Sequence, residues 1–481
     1  MQSRTDKILS HFEQINAIPR CSKDEARLCR WLHDWAVARG FGTASDATGN
    51  LVVRVPAAPG QERRTAVVLQ GHMDMVCEKT PESTHDFAKD PILSRREGDW
   101  LKADRTTLGA DNGIAIAYAM ALAEDPDLKR PPMELLFTTD EETGLTGVKS
   151  MGPDLIAGRI LINLDSENEG IFTVGCAGGL DTALEARLEI ETPAGDFSGC
   201  RLTVGGLSGG HSGIDIHKQR GNAIKIVVRT ISKILQVSEV RLASLTGGTR
   251  HNAIPRDAQA LIVVAAGDLK KIEHAVDEVN RMIRLEYGPH EPEVFIRADV
   301  HELPAGSQCL TQAETARALR LLTALPHGVA GMSPGIEGLV ETSNNLAIAQ
   351  IQGGQVNILS SQRSASASRL AEVTSVVHAV AELAGAPCRD NNKYPAWQPD
   401  MDSPLLRQAV QTYQRLFGKD PILEVIHAGL ECAIIGERYP GIQMISFGPT
   451  IRSPHSPNER LYIPSIEPVW QLLAGLLESV E

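Results

Sequence analysis

Three apolar runs in this chain end abruptly in acids and imidazoles, and that habit restricts the fold more than any other feature. They are "RTAVVLQGHMDMV" (64–76), "MELLFTTDEE" (133–142) and "RILINLDSE" (159–167). Unbroken apolar runs of this length read as strands covered on both faces. "LVVRVPA" (51–57) is a further strand, residues 1–40 read as helical, and "GADNGIAIAYAMALAED" reads as a turn leading into a helix. The alternation of strand and helix predicts an α/β layer built on a mixed, largely parallel sheet flanked by helices. In such sheets functional groups gather at the carboxyl ends of the strands.

The chain has 481 residues, too many for one core, since single cores stop growing near roughly 250–300 residues. From about residue 180 to 390 the pattern changes. Short strands ("DTALEARLEI", "GCRLTVGG", "QALIVVAA", "EVFIRADV", "QVNILSS") interleave with helices ("NAIKIVVRTISKIL", "DLKKIEHAVDEVNRMI", "ETARALRLLTAL", "SRLAEVTSVVHAVAELA"). This reads as an inserted α+β domain, with a duplicated unit inside it. "RDNNKYPAWQPD" (389–400) reads as a hinge, after which a helix and strands resume. The expected domains are therefore a discontinuous one from 1–180 and 395–481 and an inserted one from 181–394.

The sequence holds 47 Lys+Arg against 60 Asp+Glu, a net −13. That balance argues against nucleic acid or an anionic membrane as partner. "MQSRTDKILSHFEQINAIPR" lacks a signal peptide's apolar stretch and cleavage site. The longest helix-like apolar run, "IAIAYAMALA" (114–123), is about half a membrane span. A cytoplasmic location is the expectation. The eight cysteines are scattered without CxxC, which predicts reduced thiols rather than a disulfide framework or a cysteine-based metal site.

Five motifs carry the chemistry: "GHMDMV" with His72 and Asp74, "LGADNG" with Asp111, "TTDEETG" with Glu141 and Glu142, "NLDSE" with Asp165, and "SPHSPNER" with His455. Imidazoles and carboxylates without cysteine suit a pair of divalent cations, zinc first. A carboxylate reaching both ions would offset their repulsion. In an extended chain Glu141 and Glu142 point apart, leaving one free as a base. His72 and Asp74, two apart, share a face, so Asp74 is placed to fix the His72 tautomer.

Each motif alone has a structural reading. A His in a Gly turn is commonly structural, "EE" is commonly a solvated face, and "GADNG" alone fits an Asx turn or a helix cap. His85 reads as a loop residue, His217 as support for the His211 loop, and Cys77 and Cys432 as packing residues. Ser212 lacks a GxSxG elbow. The sequence has no phosphate loop and no dinucleotide fingerprint.

In this order, with "HSPNE" last, the motifs resemble the dinuclear zinc exopeptidases, the family that includes carboxypeptidase G, aminoacylase and the carnosinases. "GGHSGIDIHKQRGNA" (209–223), "TRHNAIP" (249–255), "HAGLECAI" (427–434) and "GPTIRSPHSPNERLYI" (448–463) narrow the resemblance to that family's aminoacyl-histidine dipeptidase branch, over essentially the whole chain. The resemblance implies a zinc-exopeptidase-type catalytic domain with an inserted lid. It implies that Asp111 bridges two Zn2+, that His72 and Asp165 complete one site, and that Glu142 and His455 complete the other. Co2+ or Mn2+ are possible substitutes. Glu141 becomes the general base and Asp74 the partner of His72. His211, Asn252, Arg363 and Gly429 become substrate-binding positions, with His211 beside the oxyanion. Ala433 departs from the Gly expected there, which bears on packing rather than chemistry. The implied activity is hydrolysis of Xaa-His and other unblocked, carnosine-like dipeptides. An aminoacylase or tripeptidase on the same frame, or a silent peptide-binding protein, are the rivals. A small peptide is the expected partner and a homodimer the expected assembly, although a duplicated lid could replace the second subunit.

Overall fold

The strands Val67–His72 and Met133–Thr138 are buried at every position, as the unbroken apolar runs require of strands covered on both faces. They lie at the centre of an eight-stranded sheet ordered Gly42–Ser45, Leu51–Val55, Met133–Thr138, Val67–His72, Ile160–Asn163, Gln443–Ser446, Ile171–Cys176, Ile422–Ile426. The four central strands run parallel. The pairs at the Gly42–Ser45 edge and the step to Ile171–Cys176 are antiparallel. This is the mixed sheet expected. The computed structural model that shows it describes residues 3–304 and 306–480.

The sheet belongs to one of two compact units, formed by Met1–Cys176, Trp397–Val425 and Leu430–Glu481. Its helix Ala110–Ala123 is buried at every position but Asp111, because a run of Ala and Ile presents no polar face. It packs against the helix Arg4–Asn16 and the strand Val67–His72. A second, four-stranded antiparallel sheet pairs Ile451–Arg452, Arg460–Tyr462, Trp100–Ala103 and Ser94–Glu97. Its first two strands form a hairpin whose loop carries His455.

The other unit comprises Ala177–Ala396 and Ile426–Gly429. Its nine-stranded sheet repeats one plan twice. Phe197–Gly205, Val240–Gly247, Ala258–Ala265 and Phe295–His301 stand in the spatial order fourth, first, third, second. So do Gly178–Arg187, Val340–Gln352, Gln355–Ser364 and Cys388–Tyr394. In each half one helix lies in the crossover from first strand to second and another joins third to fourth: Ala223–Ile234 and Leu269–Tyr287, then Gln312–Ala324 and Ala367–Leu383. The halves join where Val240–Gly247 pairs with Val340–Gln352, and one apolar core runs beneath both. The first half is threaded between the first strand and first helix of the second. The duplication therefore lies in strand order and not in residues, which is why the sequence shows no visible repeat.

Three readings of the sequence need correction. The expected hinge begins as a strand: Cys388–Tyr394 pairs antiparallel with Gly178–Arg187 at the sheet edge. Glu141 and Glu142 are not in extended chain but open a short helix, Glu141–Gly144, after Asp140 at a left-handed φ of 49°. Their side chains diverge by about 100° of helical rotation rather than by strand alternation. Finally, Cys21 and Cys77 form a disulfide with Cα atoms 5.7 Å apart, so the expectation of reduced thiols fails for that pair. The loop after Arg4–Asn16 runs beside the loop after His72, with Cys21 bridged to Met75; a spacing of 56 residues gave no sign of it. The other cysteines are free. No helix among the described residues is long and apolar enough to cross a membrane.

Candidate metal centre

Neighbouring parallel strands end on the same side of a sheet, so whatever follows their last residues meets in space. His72 is the last residue of its strand, Asp165 lies two residues past Ile160–Asn163, and Glu142 follows Met133–Thr138 across a short turn. Asp111 sits in the first turn of the helix packed behind them. His72 Nε2 is 3.0 Å from Asp111 Oδ1 and 3.4 Å from Asp165 Oδ1. His455 Nε2 is 3.1 Å from Asp111 Oδ2 and 3.0 Å from Glu142 Oε2. Asp111 thus turns one oxygen toward each imidazole. Among the described residues, the triads His72–Asp111–Asp165 and Asp111–Glu142–His455 each offer ligand atoms within 4.8 Å of one another, as does His72–Glu141–Glu142.

Asp74 organises two strand ends together. Its Oδ1 is 3.3 Å from His72 Nδ1, leaving Nε2 directed at the acids. The same carboxylate accepts the backbone N–H groups of Glu141 (3.1 Å) and Glu142 (3.3 Å) and the Ser22 hydroxyl (2.7 Å). It therefore caps the short helix that carries both glutamates, satisfying amides a helix start leaves unpaired. Glu25 accepts from the Asp140 backbone N–H at 3.1 Å and fixes the residue before them.

The electrostatics follow from this crowding. Burial opposes protonation of His72, yet Asp165, Asp111 and Asp74 outweigh it and hold its pKa well above the ordinary value. His455 is raised to about 11 by its hydrogen bonds with Asp111 and Glu142. Burial lifts Asp165 to about 6, against the pull of His72, and lifts Glu141 well above the carboxylate range. Burial also works against the charge of Asp74 but loses to its donors, led by His72, which bring it down to about 2. Asp111 falls lower still through hydrogen bonds with both imidazoles, although burial opposes this. Buried carboxylates this close repel one another unless cations lie between them. Glu142 Oε1 is buried without a hydrogen-bond partner among the described residues, an acceptor a cation would satisfy. Oxygen and imidazole donors of this kind fit zinc, cobalt or manganese.

The remaining sequence-predicted residues lie in the second unit. His211 Nδ1 accepts the backbone N–H groups of Gly213 (3.2 Å) and Ile214 (3.1 Å). Its ring proton must then sit on Nε2. Burial, helped by Arg363, lowers its pKa to about 4, so it is neutral at physiological pH. Arg363, cross-strand from Ser343, donates to Tyr394 Oη at 2.8 Å and keeps Nε buried without a partner among the described residues. The Asn252 carbonyl accepts the Ser212 N–H. A Cβ on Gly429 would stand 3.0 Å from the Tyr394 ring. His217 is exposed in a short 3-10 turn.

Several supports escaped the sequence reading. Asn112, joined to Asp111 by a cis peptide bond, donates to the Leu164 carbonyl at 3.0 Å and accepts from the His72 N–H at 3.3 Å. It ties two strand ends to the helix. Glu431 is buried against Gln70 (2.5 Å) and Thr138 (2.9 Å), and burial raises its pKa to about 8. His427 Nε2 lies 2.7 Å from Ser343 Oγ, and burial with Arg363 lowers its pKa to about 3. Two further charged residues, Arg20 and Glu459, are buried in the first unit. Glu431 carries a signal visible in hindsight, a charged residue inside the apolar stretch "GLECAII", whereas Arg20 and Glu459 lie in polar stretches that carry none.

The chain as a whole has close relatives. The chain is 39% identical over 469 residues to the cytosol non-specific dipeptidase of Escherichia coli (strain K12), covering 98% of this chain and 96% of that protein. The crystal structure of aminoacylhistidine dipeptidase from Vibrio alginolyticus superposes with a TM-score of 0.92 at 38% identity, over 99% of this chain and 97% of that one. A tripeptidase from Staphylococcus aureus shares the fold at 15% identity and a TM-score of 0.57, over 100% of this chain and 99% of that one. Residues 68–479, which take in the strand bearing His72 and the hairpin bearing His455 and run to the end of the last helix, match the model of peptidase family M20/M25/M40, and the chain belongs to that family.

Proposed function

We propose that this enzyme is a metal-dependent dipeptidase that hydrolyses Xaa-His and other unblocked dipeptides, carnosine-like ones included. One observation carries the reading: Asp111 stands between two imidazoles, one oxygen 3.0 Å from His72 and the other 3.1 Å from His455, the pose of a carboxylate shared by two cations. The names of the two close relatives, both dipeptidases, support the substrate class.

His72, Asp111 and Asp165 would hold one cation and Asp111, Glu142 and His455 the other, with two Zn2+ per chain the first choice and Co2+ or Mn2+ as substitutes. Such a pair supplies Lewis-acid polarisation of the scissile carbonyl and an acidified water. Glu141, on the helical turn beside Glu142, takes the proton from that water as its oxygen bonds to the carbonyl carbon. It returns the proton to the amine nitrogen as the C–N bond breaks. The Nε2–H of His211 is a donor suited to the oxyanion, because its Nδ1 is committed to two backbone amides. Arg363 would take the substrate's C-terminal carboxylate through charge-assisted hydrogen bonds. Asn252 and Gly429 complete the substrate-binding set. A cytoplasmic location and a homodimer belong to the same proposal.

The test is a panel of L-carnosine, other dipeptides, tripeptides and N-acetyl amino acids, assayed after dialysis against chelator and again after adding zinc. Zinc-restored cleavage confined to free dipeptides is the expected result. Preference for tripeptides or N-acetyl amino acids would replace the dipeptidase reading with one of its rivals. No hydrolysis under any condition would leave a binding protein.

A further inference from the structure

The loop that presents Asp111 cannot cap itself. The helix Ala110–Ala123 begins after Gly109, which has no side chain to accept the first amides, yet helix starts leave four N–H groups unpaired. A residue nearly 350 positions away supplies the acceptor. Glu459 Oε2 accepts the N–H of Leu108 (2.7 Å) and Gly109 (2.9 Å), and Oε1 accepts those of Ala110 (2.8 Å) and Asp111 (3.1 Å). Four consecutive amides, two just before the helix and its first two, are thus gathered on one carboxylate that is only 2% exposed.

Arg20 closes the other side. Its guanidinium, 1% exposed, donates through Nη1 to the carbonyls of Met73 (3.0 Å) and Asp74 (3.1 Å), and through Nη2 to Gly109 (2.5 Å) and Asn16 Oδ1 (3.3 Å). It joins the chain that follows His72 to the chain that precedes Asp111. The two glycines of "GADNG" make room for it. A Cβ on Gly109 would run into Arg20 Nη2, and one on Gly113 would stand 2.6 Å from the same atom.

We propose that Glu459, backed by Arg20, is a positioning residue that sets Asp111 in its two-faced pose before any cation binds. The idea rests on the metal reading of the proposed function and adds what makes that site ready in advance. Glu459 touches no substrate in this scheme and acts only through the backbone of 108–111. Its place four residues after His455, on the same hairpin, also means that one short segment delivers a ligand and locks the residue that ligand faces.

Glu459→Gln tests it. One amide oxygen can serve two of the four N–H groups, but the NH2 then confronts the other two. Metal-free full-length chain is titrated with Co2+ alone, following visible d–d absorption and heat of binding, with thermal melting of the metal-free form alongside. Glu124→Gln is the control for lost stability: Glu124 pairs with Lys7 and Arg39 at the far end of the same helix and touches no part of the loop. The expected result is Co2+ affinity weakened about 10–100-fold in E459Q, with an altered spectrum, and unchanged in E124Q. Unaltered cobalt uptake by E459Q would overturn the proposal, and so would equal losses in both variants. Should E459Q fail to fold, Arg20→Lys, which keeps the charge but loses the fork, is measured the same way and decides between the same outcomes. A wild-type chain that takes up no Co2+ would sink the metal reading itself and this role with it.

Discussion

The Asp74 carboxylate lies 3.3 Å from the His72 ring nitrogen and 3.1 Å from the Glu141 backbone nitrogen. One buried acid therefore fixes both the orientation of an imidazole and the start of the turn bearing the proposed base. Geometry on the metal side and on the proton-transfer side is coupled through a single side chain.

Asp74→Asn should disturb both. The amide keeps one acceptor oxygen where four groups share two. Metal affinity is expected to drop about 10–100-fold, measured by titration of chelator-treated protein. Wild-type affinity in D74N would show that His72 needs no such partner.

Glu141→Gln separates chemistry from binding. Glu142, not Glu141, faces His455, so the variant should keep its metal content by elemental analysis. Turnover should fall about 10²–10⁴-fold, the usual worth of a general base. Full activity would remove Glu141 from the mechanism.

Arg363→Ala should raise KM for free dipeptides about 10–100-fold, in line with a lost hydrogen-bonded charge partner. Dipeptide amides, which lack the carboxylate, should respond little. Equal losses on both substrates would place the role of Arg363 in support of Tyr394 and His211 instead.

Gly113→Ala inverts a general preference. In a helix interior Ala is favoured over Gly by about 1 kcal/mol. Here the added Cβ meets Arg20 Nη2 at 2.6 Å and Phe12 at 3.1 Å, and Arg20 is held by four acceptors. A net destabilisation of about 1–3 kcal/mol is expected, read as a lower urea midpoint for metal-free protein. A higher midpoint would mean the guanidinium yields easily.

Acid should loosen the second unit through neutral histidines. His327 accepts from the Asn222 side chain at 3.2 Å, and burial, aided by Lys225, lowers its pKa to about 4 from 6.5. His211 behaves alike. As pH falls below 6.5 the unfolded chain takes up protons that the folded one refuses. This stabilisation is full above about 6.5 and is lost as pH falls toward 4. Melting temperatures of wild type and His327→Gln, compared from pH 7.5 to 4.5, should converge toward the acid end. Parallel curves would contradict the assignment.

Much of the candidate site was legible because the residues that could hold a cation follow apolar strands directly in sequence: His72, Glu142 and Asp165 each lie within a few residues of a strand's end. Their residue types also constrain the metal. Less legible were the details that depend on backbone angle. Asp140 at φ 49° turns an expected extended segment into helix, and nothing local in "TTDEETG" announces it. The Cys21–Cys77 bridge and the shared strand order of the two halves were equally hidden, since both are relations between segments distant along the chain.

By itself the sequence determined the strand-and-helix alternation, the mixed sheet and the family, because hydrophobic pattern and motif order are properties of neighbouring residues. Only the tertiary structure decided which acids meet which imidazoles, and that Glu459 caps a helix begun 349 residues earlier. Backbone amides at a helix start need an acceptor but do not specify whose. A sequence reports the need, and packing alone chooses the residue that meets it.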